Sequence, residues 1–346
     1  MSGGKKWWRV MALGAGLLTL ALLAGAMPAA AQAKVKLGTL VPRGTSYHQI
    51  LQAMGEQWRQ APGGGVRLTI YTDGTMGSEA DMVRRMRVGQ LQAATLTVAG
   101  LAEIEPSVSA LQKMPMMFRT LEEVDHVRGM LEEKLSQRLQ EKGFVVLFWG
   151  DTGWVRFFSR RPARVPNDFR SMKVFVGAGD NQQVDIMKDA GFNPVPLEWT
   201  DALTALKTGM IDAVPVIPYY ALAGQFYTEA KYMLEVNWVP LVGATIVTRP
   251  VWDSLAPETR EALRKAALAA GTQFRARGRA ESEEAVEAMK KRGLVVQVMS
   301  PEMEAEWRRM AEGLYPKVRG KIVPAEWFDE VRKLLVEYRS TRAARK

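Results

Sequence analysis

The chain has 346 residues with 47 Lys and Arg against 37 Asp and Glu, a formal net charge of +10, 47% apolar residues, two histidines and no cysteine. The lack of cysteine excludes disulfide staples, thiolate metal sites, cysteine nucleophiles and a lipid-modified N-terminal cysteine. The basic residues alternate with acids along stretches such as 132–142 and 258–292, the pattern of a solvated helix face, so no nucleic-acid partner is expected.

Lys5, Lys6 and Arg9 precede an apolar run over 10–23, and small residues fill 27–33. A positive start, a short apolar stretch and small residues at the end make a cleaved signal peptide, with cleavage after Ala31 or Ala33. The run is shorter than the roughly 18 to 20 residues that a retained span needs. Removing 33 residues leaves 346 − 33 = 313 with a net charge of 10 − 3 = +7, enough chain for two domains. A periplasmic location follows from the leader.

In chain order the pattern predicts a strand over 34–40, an amphipathic helix over 47–60 ended by Pro62-Gly63-Gly64-Gly65, and a strand over 66–71. A turn at 73–77, a helix over 78–89 and a strand over 91–98 come next, then a buried loop at 114–118, a helix over 121–142 and a strand over 144–149. A second half repeats the alternation, with strands at 173–176 and 211–216, helices at 181–190 and 200–208, an extended piece at 193–196 and an apolar run over 240–248. Pro257 and Gly293 bracket a helix of about 35 residues, roughly 50 Å long and so able to cross two domains. The fold class is α/β, two-lobed, with a largely parallel sheet.

Catalytic signatures are missing. His48 and His126 are too far apart in sequence to share a helix face, so no metal site is expected, and no serine elbow, phosphate loop or dinucleotide loop occurs. No cofactor is expected either. Ala178-Gly179-Asp180 after a strand is either an anion-binding helix start or a plain turn. Aromatic residues gather near the strand ends and crossovers where ligands of open α/β sheets bind: Trp149, Trp154, Phe157, Phe158, Phe175, Tyr219, Tyr220, Phe226, Tyr227 and Trp238; most of these rings are expected in the core, with two or three lining a pocket.

Several runs resemble one family. Leu37-Gly38-Thr39-Leu40 leading to His48, Gly74-Thr75-Met76-Gly77, Val88-Gly89-Gln90-Leu91-Gln92 and Met114-Pro115-Met116-Met117-Phe118 resemble TRAP-transporter solute receptors of the DctP type. Pro166-Asn167-Asp168-Phe169-Arg170-Ser171-Met172-Lys173-Val174, Ala190-Gly191-Phe192-Asn193-Pro194-Val195-Pro196 and Ala205-Leu206-Lys207-Thr208-Gly209-Met210-Ile211-Asp212-Ala213 keep that family's order and spacing. The likeness runs from about Lys34 to Tyr338.

The resemblance implies two lobes joined by crossing strands, a cleft that closes on a solute by hinge motion, and TRAP membrane subunits as partners. It places lobe I at 34–153 plus 242–281 and lobe II at 154–241 plus 282–346. The family usually carries an arginine whose fork pairs with a substrate carboxylate; here that position is Phe175, and the polar residues of a later strand correspond to Pro215 and Val216. Arg156 lies within one residue of a second family arginine, and reads either as a monocarboxylate partner or as a hinge or surface charge.

The expected solute is an organic acid with an apolar body, touched by His48, Thr97, Trp149, Trp154, Arg156, Phe175, Gly179, Asp180, Pro215, Tyr219 and Trp238. A related branch that also lacks the arginine works with a periplasmic tetratricopeptide-repeat partner on hydrophobic solutes. Alternatives are a carrier of lipid-like molecules and an enzyme on the same scaffold; the latter needs a nucleophile and base pair that the sequence does not show.

Overall fold

The computed structural model describes residues 32–344. The expected leader therefore lies, except for its last two residues, outside the described residues. The strands are β1 (Ala33–Thr39), β2 (Val66–Tyr71), β3 (Ala93–Thr97), β4 (Phe144–Ser159), β5 (Lys173–Gly177), β6 (Asn193–Leu197), β7 (Ala213–Val216), β8 (Tyr232–Thr248) and β9 (Val295–Gln297). The principal helices are α1 (Ser46–Arg59), α2 (Glu79–Arg87), α3 (Leu121–Glu141), α4 (Asn181–Asp189), α5 (Pro218–Ala223), α6 (Pro257–Lys290), α7 (Pro301–Val318) and α8 (Ala325–Ala343).

The strands run in the order β2-β1-β3-β8-β4-β7-β5-β6, with β9 paired to β8. β1 pairs in parallel with β2 and β3, and β5 with β6 and β7. The expectation of a largely parallel sheet needs correction at its centre, where β8 is antiparallel to β3 and β4, and β4 to β7. The two central strands are also far longer than the apolar runs suggested: 16 and 17 residues, where the pattern covers 144–149 and 240–248. Bulges at Val146/Phe148, Asp151/Trp154 and Val155/Phe157 interrupt their pairing, so no single two-residue period runs through either strand.

Helix α6 is 34 residues long and packs on β4, α1 and α5, so it runs along both ends of the sheet. Its mid-helix glycines are explained by close approach. A Cβ on Gly271 would stand 2.7 Å from Cβ of Phe148, and one on Gly278 would meet the Tyr47 hydroxyl. That contact outweighs the roughly 1 kcal/mol that a helical glycine costs.

Buried residues form three clusters. One lies between β1, α1 and α6 and contains Tyr47, Trp58, Phe148 and Phe274; a second, around Phe158, Phe175 and Met289, lies against the other end of α6. The largest spans the remainder and includes Phe157, Trp238 and Trp307, whose rings meet edge-on or tilted at 5.4–5.8 Å.

Candidate functional site: a two-chambered cleft

A cleft opens beside the crossing of β4 and β8 and consists of two adjoining cavities that share lining residues. One, called the outer for reference, is about 170 Å³ and is lined by Phe175, Gly179, Asp180, Trp199 and Trp238 among others; the other, called the inner, is about 160 Å³ and is lined by Phe148, Thr152, Ile217, Tyr220 and Phe274 among others. Glu79, Thr97, Val155, Pro215 and Leu241 border both. Among the described residues, no arginine or lysine lines either cavity.

Glu79, which borders both cavities, is positioned by a local device. Gly77, with φ +89°, turns the chain into α2. Ser78 and Asp81 then form a reciprocal capping box: Asp81 N donates to Ser78 Oγ at 3.2 Å and Ser78 N to Asp81 Oδ2 at 3.0 Å. This sets Glu79 inward, where Oε1 accepts from Thr97 N (2.7 Å) and Oε2 from Thr97 Oγ1 (2.6 Å) and Gly100 N (2.9 Å). Burial raises its titration above the ordinary carboxylate range; the Thr97 hydrogen bonds act the other way, and Asp180 adds to the rise.

Asp180 caps α4 by accepting from Gln183 N at 3.1 Å and forms an ion pair with the buried Lys113. Glu198, also in the outer cavity, is pushed up by burial and then by Asp81 and Asp201. The cleft thus holds three carboxylates and mostly apolar walls. Two buried polar atoms of lining residues have no hydrogen-bond partner among the described residues: Trp238 Nε1 and Thr152 Oγ1.

Six of the residues singled out in the sequence come together here: Thr97, Phe175, Gly179, Asp180, Pro215 and Trp238. The other five do not line the cleft. His48 caps its own helix start, its Nδ1 accepting from Gly44 N at 3.0 Å. Trp149 donates from Nε1 to Ser136 Oγ at 2.8 Å, facing α3, and Trp154 is packed in the core. Arg156 follows the cleft-lining Val155 on the strand and so points to the opposite face, where it meets Glu235 at 3.0 Å and Glu283 at 3.4 Å. Tyr219 accepts from Ser46 N at 3.1 Å and packs edge-on against Tyr47.

The sequence reading passed over Glu79, Gln112, Phe148, Trp199 and Phe274. Glu79 had a legible signal, the Ser78-x-x-Asp81 capping box after a glycine turn. Phe148 and Phe274 had none, because a bulge and a helix–strand contact decide where they face.

A two-lobed α/β frame with a mostly apolar cleft beside its strand crossover is the architecture of a solute-binding protein. The chain belongs to the family described as bacterial extracellular solute-binding protein, family 7 (DctP), which matches residues 37–321. It is accordingly a binding protein of the TRAP class, not an enzyme.

A solute-binding protein from Chromohalobacter salexigens is 26% identical over 245 residues, 70% of this chain and 71% of that protein. The 2,3-diketo-L-gulonate-binding periplasmic protein YiaO of Escherichia coli is 24% identical over 255 residues, 72% of this chain and 76% of that one. The fold is that of the TRAP periplasmic solute-binding protein from Ralstonia eutropha bound to (S)-2-acetolactate, with TM-score 0.81, 20% identity and coverage of 88% and 99%. It is equally that of the galactonate complex of a sugar acid binding protein from Advenella mimigardefordensis, with TM-score 0.82, 17% identity and coverage of 89% and 99%. Among the described residues no helix is long and apolar enough to cross a membrane, and no cluster of three or more His, Asp or Glu is placed to hold a metal.

Proposed function

We propose that this chain is the periplasmic capture subunit of a TRAP-type secondary transporter, and that it takes an organic acid with a substantial apolar body. The observation that carries the reading is the cleft lining: carboxylates and apolar walls, with Phe175 where the family's arginine is expected and no cation. An arginine fork on a carboxylate is worth about 1.5–3 kcal/mol per charge-assisted hydrogen bond. Without it, apolar contact supplies most of the affinity. Organic acids in the sites of relatives, such as gulonate and acetolactate, support an acid as the cargo.

In this reading β4, β8 and α6 connect lobe I (34–153 plus 242–281) to lobe II (154–241 plus 282–346), and bending at the bulge beside Gly153 closes the cleft. The closed protein then delivers its cargo to membrane subunits. The Phe175 exchange is also the basis for expecting a tetratricopeptide-repeat partner. Export uses the N-terminal leader. Since Ala33 pairs with Val66 as the first residue of β1, cleavage after Ala31 leaves that strand whole.

Thermal shifts of the mature protein against succinate, malate, glucuronate and aryl- or alkyl-monocarboxylates test the reading. It predicts saturable stabilisation by the apolar monocarboxylates; micromolar binding of succinate or malate would overturn it.

A further inference from the structure

We infer that Lys113 is the counter-ion of the cleft, a positioning residue that holds and neutralises the Asp180 carboxylate so that the outer cavity accepts an anion. The inference rests on the organic-acid reading above and adds the group that sets the charge of that cavity. Lys113 does not itself line the cavity; it acts through Asp180, which does.

The Lys113 side chain is 1% exposed, and its ammonium donates to Asp180 Oδ2, on a side chain that keeps 16% of its surface open. An ammonium so deeply buried is tolerated only when it is paired. The pair also fixes Asp180: its other oxygen accepts from Gln183 N at 3.1 Å, so both carboxylate oxygens are engaged at the cavity wall. The two segments are bound together nearby. Ser109 Oγ donates to Gln182 Oε1 at 2.9 Å, and Lys113 N donates to Ser109 O at 2.8 Å. Gln112, beside Lys113 in the chain, lines the same cavity, and its Oε1 accepts from Val242 N at 2.9 Å.

The charges around the cavity give this pair its role. Glu79, Asp180 and Glu198 border the outer cavity and, among the described residues, no lysine or arginine does. Burial raises the titration of Glu79 and Glu198 and so pushes both toward the neutral form. Asp180 is neutralised differently, by its ion pair. It stands near enough to Glu79 to add to the rise there, so its field reaches across the cavity. Without Lys113 that field would act on a solute carboxylate as an unopposed repulsion.

Calorimetric titration with aryl- and alkyl-monocarboxylates, phenylacetate and hexanoate among them, tests this on three forms of the mature protein: unmodified, Lys113→Gln, and Lys113→Gln combined with Asp180→Asn. Lys113→Gln removes the charge and keeps a hydrogen-bond donor for Asp180. It should weaken every acid that binds by about tenfold, because Asp180 is then an unneutralised carboxylate on the cavity wall. Adding Asp180→Asn removes that carboxylate and should return the affinity to within about threefold of the unmodified protein. A pair that only supports the fold gives no such recovery, since the second substitution leaves the ion pair just as broken. If Lys113→Gln does not fold, Asp180→Asn with the lysine kept decides: it leaves a positive charge unopposed behind the cavity wall and should strengthen acid binding by about fivefold, and no gain overturns the inference. Unchanged affinity in Lys113→Gln, or a loss that Asp180→Asn does not recover, also overturns it and leaves the organic-acid reading standing. Failure of the unmodified protein to bind any of the acids overturns that reading itself.

Discussion

Arg279 of α6 holds both oxygens of the Asp151 carboxylate, Nε to Oδ1 and Nη2 to Oδ2, each at 2.8 Å. The same guanidinium reaches both oxygens of Asp125 on α3, also at 2.8 Å. Asp151 has no exposed side-chain surface and stands at the edge of the β4 bulge. The long helix is thus tied to the crossing strand and to α3 by one side chain. Removing one partner of such a pair leaves a buried charge uncompensated. Arg279→Ala should lower the unfolding free energy by about 3 kcal/mol, and Arg279→Lys should recover only part, because an ammonium cannot fork across two carboxylates. Urea unfolding followed by tryptophan fluorescence measures both.

Gly153 sits inside the bulge between Asp151 and Trp154 with φ +94°. A Cβ there would find Ser282 Oγ at 3.7 Å, an ordinary contact, so space does not forbid a side chain. The backbone does. Gly153→Ala should cost about 1–2 kcal/mol of stability, and Gly150→Ala, at an ordinary φ with its nearest atom 3.9 Å away, should cost less. Thermal melts of the two variants compare them directly.

Glu79 gives the protein a pH response. Its titration in the folded state lies above that of the free side chain, mainly through burial. The folded state then binds more protons than the unfolded one between the two values. The stability this contributes is complete below the unfolded value and is lost as pH rises through the folded value. Glu79→Gln should flatten that part of the stability–pH curve. An anionic solute beside Glu79 is repelled by the ionised acid, so affinity for a monocarboxylate should increase as pH falls through the raised folded-state value of Glu79, and the slope should shrink in Glu79→Gln. Titrations at several pH values provide the check.

Arg156 is well buried but faces away from the cleft, toward Glu235 and Glu283, whose side chains are 40% and 69% exposed. Arg156→Ala should leave solute affinity within about twofold of the original. Its effect on stability should be about 1 kcal/mol, from lost packing and partly screened pairs. A tenfold loss of affinity with unchanged stability would reassign the residue to the solute.

Much of this architecture was legible in the sequence, for reasons specific to each element. The ends of α1 and α6 carry helix-end chemistry, Pro-Gly-Gly-Gly after the first and Pro257 and Gly293 around the second, and local backbone preferences decide such ends. Gly179 and Phe175 sit at strand ends that topology turns toward a cleft, while Pro215, like the absence of an arginine at Phe175, was legible only through the family resemblance. The orientations of Trp149, Trp154 and Arg156 were not legible. They occupy a strand whose alternation is reset by bulges, and one slip reverses every side chain that follows. Phe274 was hidden for a different reason: its place in the inner chamber depends on where α6 crosses β4, a contact set by Gly271 against Phe148, far apart in sequence.

The most direct test is native mass spectrometry of the mature protein purified from a periplasmic extract without refolding, with the bound molecule identified after release. The account predicts a stoichiometric monocarboxylic acid with a substantial apolar body. A co-purifying C4-dicarboxylate or hexuronate would contradict it.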